Sequence, residues 1–214
     1  MKNLLILVPT TCAILAMTVG GYCFHVAVPV LCAVLIVFGS QGSIAATKWL
    51  LVAALAFSIA GDWMLRQRNG QEMMFVYGIA GFFVAHAGFL LFCLRNGRMQ
   101  WRLLLVLATG YGVFFFWKLL PAIDGGILPV AVLAYTLISC FSLAAAWGLH
   151  RTKLSRLLFS AGIGCILFSD TLIACCEFLN VCGLYRYAMM PAYYAAHLLI
   201  TAALIYKRNG KTEE

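Results

Sequence analysis

Charge is scarce in this chain. Only 10% of its 214 residues are Asp, Glu, Lys or Arg, and seven are acidic. A soluble domain of this length needs a polar surface, so the shortage excludes one, and a mean hydropathy of +0.97 agrees. Long polar connections are also missing. The segments between apolar runs are too short to fold alone, which leaves helix interiors and short loops to carry any function. The nine cysteines contain no C-x-x-C and lie mostly within apolar runs, where a thiol behaves as a small hydrophobe; the vicinal pair Cys175 and Cys176 reads the same way. No H-x-x-x-H or H-x-x-H spacing marks a metal centre, and no nucleophile elbow or Cys-His pattern marks covalent catalysis. No cofactor is expected. The net charge of +8 comes from residues at the ends of apolar runs and forms no aromatic-interleaved stripe, which argues against nucleic acid.

What is present is one apolar run after another. Hydropathy predicts eight spans, near 3–21, 26–40, 48–65, 73–94, 100–118, 127–148, 156–179 and 187–206, the second being short. The expected fold is an all-α, polytopic membrane helix bundle, a single integral membrane domain over 1–214. The opening MKNLLILVPTTCAILAMTVGG resembles a signal peptide but matches a cleavage site poorly, so it is read as the first helix. Placing both termini on one side gathers Lys2, Lys48, Arg95, Arg98, Arg102, Arg151, Lys153, Arg156, Lys207, Arg208 and Lys211 there, and leaves Arg66, Arg68, Lys118 and Arg186 on the other. Eleven against four predicts a multi-pass protein with both termini cytoplasmic, in the inner or plasma membrane if the source is bacterial. Asp62 to Asp170 is 108 residues and His86 to His197 is 111, with VAHAGFLL echoed by AAHLLITA. These spacings suggest a four-plus-four parallel repeat.

The two aspartates sit inside otherwise uncharged segments, LLVAALAFSIAGDWML and LLFSAGIGCILFSDTLIACC. A carboxylate in hydrocarbon costs about 2.5–3.5 kcal/mol on insertion scales, so it faces a cavity, a partner or a substrate. Asp62 follows Lys48 by 14 residues and Asp170 follows Arg156 by 14, which places both about 21 Å from one membrane face. His86 and His197 lie about 14–15 Å from that face, counted back from Arg95 and Lys207. The plain alternatives are a helix-end Asp62 paired with Arg66 one turn on, and imidazoles satisfied by neighbouring carbonyls. Asp170 has no basic residue within a turn, so its partner is expected on another helix. Ser169 offers a hydroxyl to that carboxylate or to its own helix, and Gly61 permits close approach of a neighbour. Tyr193 and Tyr194 sit about one turn above His197 as donors or interfacial anchors. His25 and His150 fall at predicted span ends and carry no signal.

The strings FSIAGDWML, YGIAGFFVAHAGF, CILFSDTLIA and YYAAHLLI, in that order on the third, fourth, seventh and eighth spans, resemble the YhhN family, whose members include lysoplasmalogenases. The family's G-D on the third helix falls on Gly61 and Asp62, its F-x-x-x-H on Phe82 and His86, and its S-D on Ser169 and Asp170. Two positions depart. The aromatic after the histidine is Phe89 instead of tyrosine, and an early Lys-Pro reads Val28-Pro29.

The resemblance implies hydrolysis of the vinyl ether bond of a lysoplasmalogen, giving a fatty aldehyde and a glycerophospho-base. An enol ether hydrolyses by protonation of its β-carbon to an oxocarbenium ion that water captures, so the reaction needs an acid and a nearby anion. Asp170, the more deeply flanked, is the expected proton donor. Asp62 faces the cation and orients water, and His86 relays protons or fixes Asp62. Arg66, Arg68 and Arg186 share the membrane face of the aspartates and suit the lipid phosphate. Ser169, Tyr194 and His197 complete the substrate-binding candidates. The implied partners are a lysophospholipid and membrane lipids. A small transporter or proton-coupled carrier would also need intramembrane Asp and His, and a lipid-binding scaffold would not.

Overall fold

The computed structural model describes residues 5–39, 46–183 and 185–205, without the side chains of Tyr185 and Arg186. Eight α-helices follow in order: α1 Leu7–Thr18, α2 Tyr22–Gly39, α3 Lys48–Arg66, α4 Glu72–Asn96, α5 Trp101–Phe114, α6 Leu128–Ala146, α7 Lys153–Phe178 and α8 Tyr185–Ile205. α5 runs on into a π segment, Phe115–Leu119, and a 3-10 turn, Leu120–Ala122. Among the described residues there is no strand, only an isolated bridge between Gly97 and Leu149.

Among the described residues seven helices are long and apolar enough to cross a membrane, and Leu7–Thr18 is a shorter apolar one. The short span is therefore the first, not the second; α2 reaches 18 residues with Pro29 inside it. A helix satisfies its own backbone, which is why apolar sequence of this kind folds this way in lipid. Helix ends use polar side chains near the loops. Lys48 Nζ donates to the carbonyl of Val37 at 2.7 Å, and the Thr152 hydroxyl accepts from the Ser155 N–H at 3.3 Å to start α7. The loops after α4 and α6 are tied where Arg98 N–H donates to Gly148 O and His150 N–H to Asn96 O, both at 3.0 Å.

Packing is heaviest between α3 and α4 and between α7 and α8, followed by α4 against α6. The α3–α4 seam is built from glycine. A methyl group placed on Gly81 would come within 3.0 Å of the Gly61 Cα, and one on Gly61 within 3.1 Å of the Gly78 carbonyl. Backbones therefore touch directly where Asp62 emerges, as in other small-residue helix contacts. Beneath this seam Leu51, Leu55, Phe89, Phe92, Phe159, Ile163 and Ile200 form the buried core. The outer faces present large apolar side chains such as Phe38, Leu105, Phe116 and Trp117, as expected where lipid is the solvent.

Candidate active site

Asp62 lies one turn before the end of α3, where three helices meet. The hydroxyl of Tyr193 on α8 donates to its Oδ2, and Nε2 of His25 on α2 stands 3.1 Å from the same oxygen. Nδ1 of His25 is 2.8 Å from the hydroxyl of Tyr194. With that phenol donating to Nδ1, Nε2 carries the hydrogen and donates to the carboxylate. The imidazole also stacks on Tyr193, with centroids 5.6 Å apart and planes 11° from parallel. His25 thus corrects the sequence reading that gave it no signal: α2 starts at Tyr22, so position 25 is already on the inner face of a helix, opposite Asp62.

Asp170 lies eight residues before the end of α7. Tyr135 of α6 donates its hydroxyl to Oδ2, and Nε2 of His86 on α4 is 3.9 Å from that oxygen. His86 is accordingly the neighbour of Asp170, not of Asp62. Its side chain is 1% exposed, and neither ring nitrogen has a hydrogen-bond partner among the described residues. Phe89 and Tyr135 present ring edges to it at 6.0 and 5.4 Å, and Ser142 of α6 bonds the His86 carbonyl at 2.9 Å, which fixes α4 against α6 at this level.

The two carboxylates are 16% and 13% exposed, and both open on one cavity of about 500 Å³. His25, Tyr193 and Tyr194 line it near Asp62, Ser169 lies beside Asp170, and Phe82 lines it from α4. His86 sits behind Asp170 and does not line it. The mouth is charged: Arg66 holds its guanidinium over Tyr22 at 5.0 Å, and Arg68 pairs with Glu177 at 2.6 Å. Arg66 therefore packs on an aromatic ring on the cavity wall.

The other candidates are placed as follows. The Ser169 hydroxyl donates to the Met189 carbonyl of α8 at 3.1 Å, which is neither of the partners expected for it. Tyr194 lines the cavity through its contact with His25. His197 is fully buried, with Nδ1 2.8 Å from the Tyr193 carbonyl and its ring edge-on to Tyr193, so it supports that tyrosine from behind and does not line the cavity. The side chain of Arg186 lies outside the described residues. Sequence reasoning missed Tyr135 entirely, although its position was a signal: it is the eighth residue of a 19-residue helix, too deep for an interfacial anchor.

Counting four helices to each half of the chain, the two carboxylate sites draw on helices of the same order. Asp62 is met by α2 of its own half and α8 of the other, and Asp170 by α6 of its own half and α4 of the other. Histidine and tyrosine exchange places between them.

Comparison with known proteins identifies relatives of the chain. A YhhN family model matches residues 22–204. Lysoplasmalogenase TMEM86B of Rattus norvegicus is 33% identical over 186 residues, covering 86% of this chain and 73% of the relative. Lysoplasmalogenase TMEM86B of Mus musculus is 31% identical over 186 residues, covering 86% of this chain and 75% of the relative. No solved structure matches the chain.

Proposed function

The chain belongs to the YhhN family, and we propose that it hydrolyses the vinyl ether bond of 1-alkenyl lysophospholipids, with Asp170 as the acid and Asp62 as the anion. The observation that carries this reading is the pair of partly exposed carboxylates on one intramembrane cavity, each held by a tyrosine hydroxyl.

The two sites are unequal in a way that suits two roles. Two donors converge on one oxygen of Asp62, the Tyr193 hydroxyl and the His25 N–H, an arrangement that keeps a carboxylate oriented and ready to face a cation. Asp170 takes one donor, Tyr135, and has behind it an unpaired imidazole. In the reaction Asp170 delivers a proton to the β-carbon of the enol ether, and the double-bond electrons form the new C–H bond. The resulting oxocarbenium ion faces Asp62. Water adds to the cationic carbon and loses a proton to the Asp170 carboxylate, which restores the acid, and the hemiacetal collapses, its hydroxyl proton passing to the departing oxygen, to a fatty aldehyde and the glycerol hydroxyl. His86, a buried imidazole 3.9 Å behind Asp170 and off the cavity, positions that carboxylate. Arg66, at the mouth, meets the phosphate, and Arg68 joins it by releasing Glu177. The excess of basic residues on one side of the spans supports cytoplasmic termini, which puts the carboxylates in the half of the membrane away from the cytoplasm.

The test is product analysis with purified protein in detergent. Aldehyde release is expected from a 1-alkenyl lysolipid and not from its saturated 1-alkyl analogue, which forms no such cation, nor from the 1-acyl ester, for which no activated nucleophile is present. Equal cleavage of acyl and alkenyl lipids would assign the protein to the lysophospholipases and overturn the proposal.

A further inference from the structure

Asp170 lines a second space as well as the charged cavity. This recess, about 60 Å³, has apolar walls that include Ile79, Phe114, Val132 and Leu167, and Asp170 is its one ionisable carboxylate or cation. It shares Leu65, Phe75, Phe82, Asp170 and Ile173 with the large cavity, so Asp170 is the one ionisable group at their junction. At its far side it shares Tyr111, Phe114 and Thr171 with a groove of about 290 Å³ between α5 and α7, lined further by Val106, Leu107 and Gly110 and open to the lipid-facing surface.

Three spaces in series thus run from charged mouth to carboxylate to hydrocarbon. One hydrogen bond crosses the last boundary. Thr171 gives its proton to the Leu167 carbonyl at 2.7 Å, so the Tyr111 hydroxyl is the donor in the 3.0 Å contact with Thr171. The helix on the outer side of this contact is the one most turned to lipid, with Leu105 and Val106 each 69% exposed, and it ends in the π segment that places Leu119 on the recess wall. Such π turns are frequent at functional sites.

We propose that the hydrocarbon chain of the lysolipid runs from Asp170 through the apolar recess into the α5–α7 groove, and that the aldehyde leaves into the bilayer through this seam, with the Tyr111–Thr171 contact as its latch. The inference rests on the vinyl ether reading of the site. The headgroup is excluded from this path because nothing in the recess or groove beyond Asp170 answers a charge. A recess this small holds only a short stretch of chain, so a long chain must continue into the groove.

Gly110 gives the test. A Cβ there meets nothing within 4 Å, so the side chain of Gly110→Leu starts into open space in the groove; Gly112→Leu, whose Cβ is equally unobstructed and off the groove, is the control. The kcat/KM for a hexadecenyl lysolipid relative to a butenyl one is expected to fall about tenfold in Gly110→Leu and to stay as in wild type in Gly112→Leu. An unchanged ratio in Gly110→Leu overturns the path. If wild type cleaves neither lipid, the functional reading fails while the path is still decided by binding: a saturated 1-alkyl lysolipid with a terminal diazirine should label the 101–114 and 167–175 segments. Excess unlabelled lysolipid should compete this labelling, and Gly110→Leu should weaken it. Labelling spread evenly over all lipid-facing helices and not competed by lysolipid overturns the proposal, since bulk lipid alone then fills the groove.

Discussion

Replacing Asp170 with asparagine keeps the shape of the side chain and an oxygen to accept the Tyr135 hydroxyl, while removing the proton that the mechanism transfers to carbon. General-acid contributions run from about 10² to 10⁴, so kcat should fall by at least about 100-fold, or roughly 2.7 kcal/mol in the barrier. The structure supplies a sharper test through Tyr135. Its hydroxyl bonds the same carboxylate oxygen that faces His86, and a hydrogen bond to a charged acceptor is worth about 1.5–3 kcal/mol. Tyr135→Phe alone should therefore lower kcat by roughly tenfold to a hundredfold. If the phenol works only through Asp170, it should cost little more in the Asp170→Asn background, because groups that act as a unit are not additive. Aldehyde release from a 1-alkenyl lysolipid, measured by mass spectrometry on monodisperse detergent-purified variants, reads all four proteins. Near wild-type turnover in a well-folded Asp170→Asn protein refutes the mechanism, and equal Tyr135→Phe losses in both backgrounds refute the coupling.

Two further outcomes follow from the geometry. His25→Phe keeps the ring that stacks on Tyr193 and removes both nitrogens, so the loss of one charge-assisted contact to Asp62 should cost about tenfold or more in kcat, whereas His150→Gln on the exposed loop should stay within about twofold; equal effects would remove His25 from the site. Gly81→Ala sets a methyl 3.0 Å from the Gly61 backbone, where no rotamer change relieves it, and overpacking of this kind costs about 1–3 kcal/mol; thermal unfolding in detergent should show the loss together with lower activity, and an unchanged melting curve would mean that the seam yields.

The bundle was legible, and so was the conspicuousness of its carboxylates, because hydrocarbon makes a charge stand out: Asp62 and Asp170 sit in uncharged segments, and both line one cavity. Their partners were not legible. Tyrosine is ordinary near a membrane surface, so Tyr193 stood as donor or anchor with no acceptor named, and Tyr135 was lost in the run AVLAYTLIS. His25 was hidden by a boundary, since a helix beginning at 26 leaves it in a loop and one beginning at Tyr22 turns it inward. The pairing of His86 with Asp170 crosses from α4 to α7, and sequence spacing carries no information on which helices of a bundle become neighbours. The lining of the apolar path is likewise a property of packing: Gly110 and Thr171 acquire meaning only when α5 lies against α7.

The glycine contact between α3 and α4 bears on how the site survives its own chemistry. On the proposed reading Asp62 stays ionised while a cation forms and disappears opposite it, and a side chain positioned by charge alone would shift at every stage. Here the backbone that carries Asp62 is seated against Gly78 and Gly81 by contact between uncharged atoms: a methyl on Gly81 would stand 3.0 Å from the Gly61 Cα, and one on Gly61 3.1 Å from the Gly78 carbonyl. Steric seating is indifferent to charge. On that reading the helix can hold one geometry while the cation forms and is captured, and a larger residue at the seam beside the aspartate would have to push the facing backbone aside.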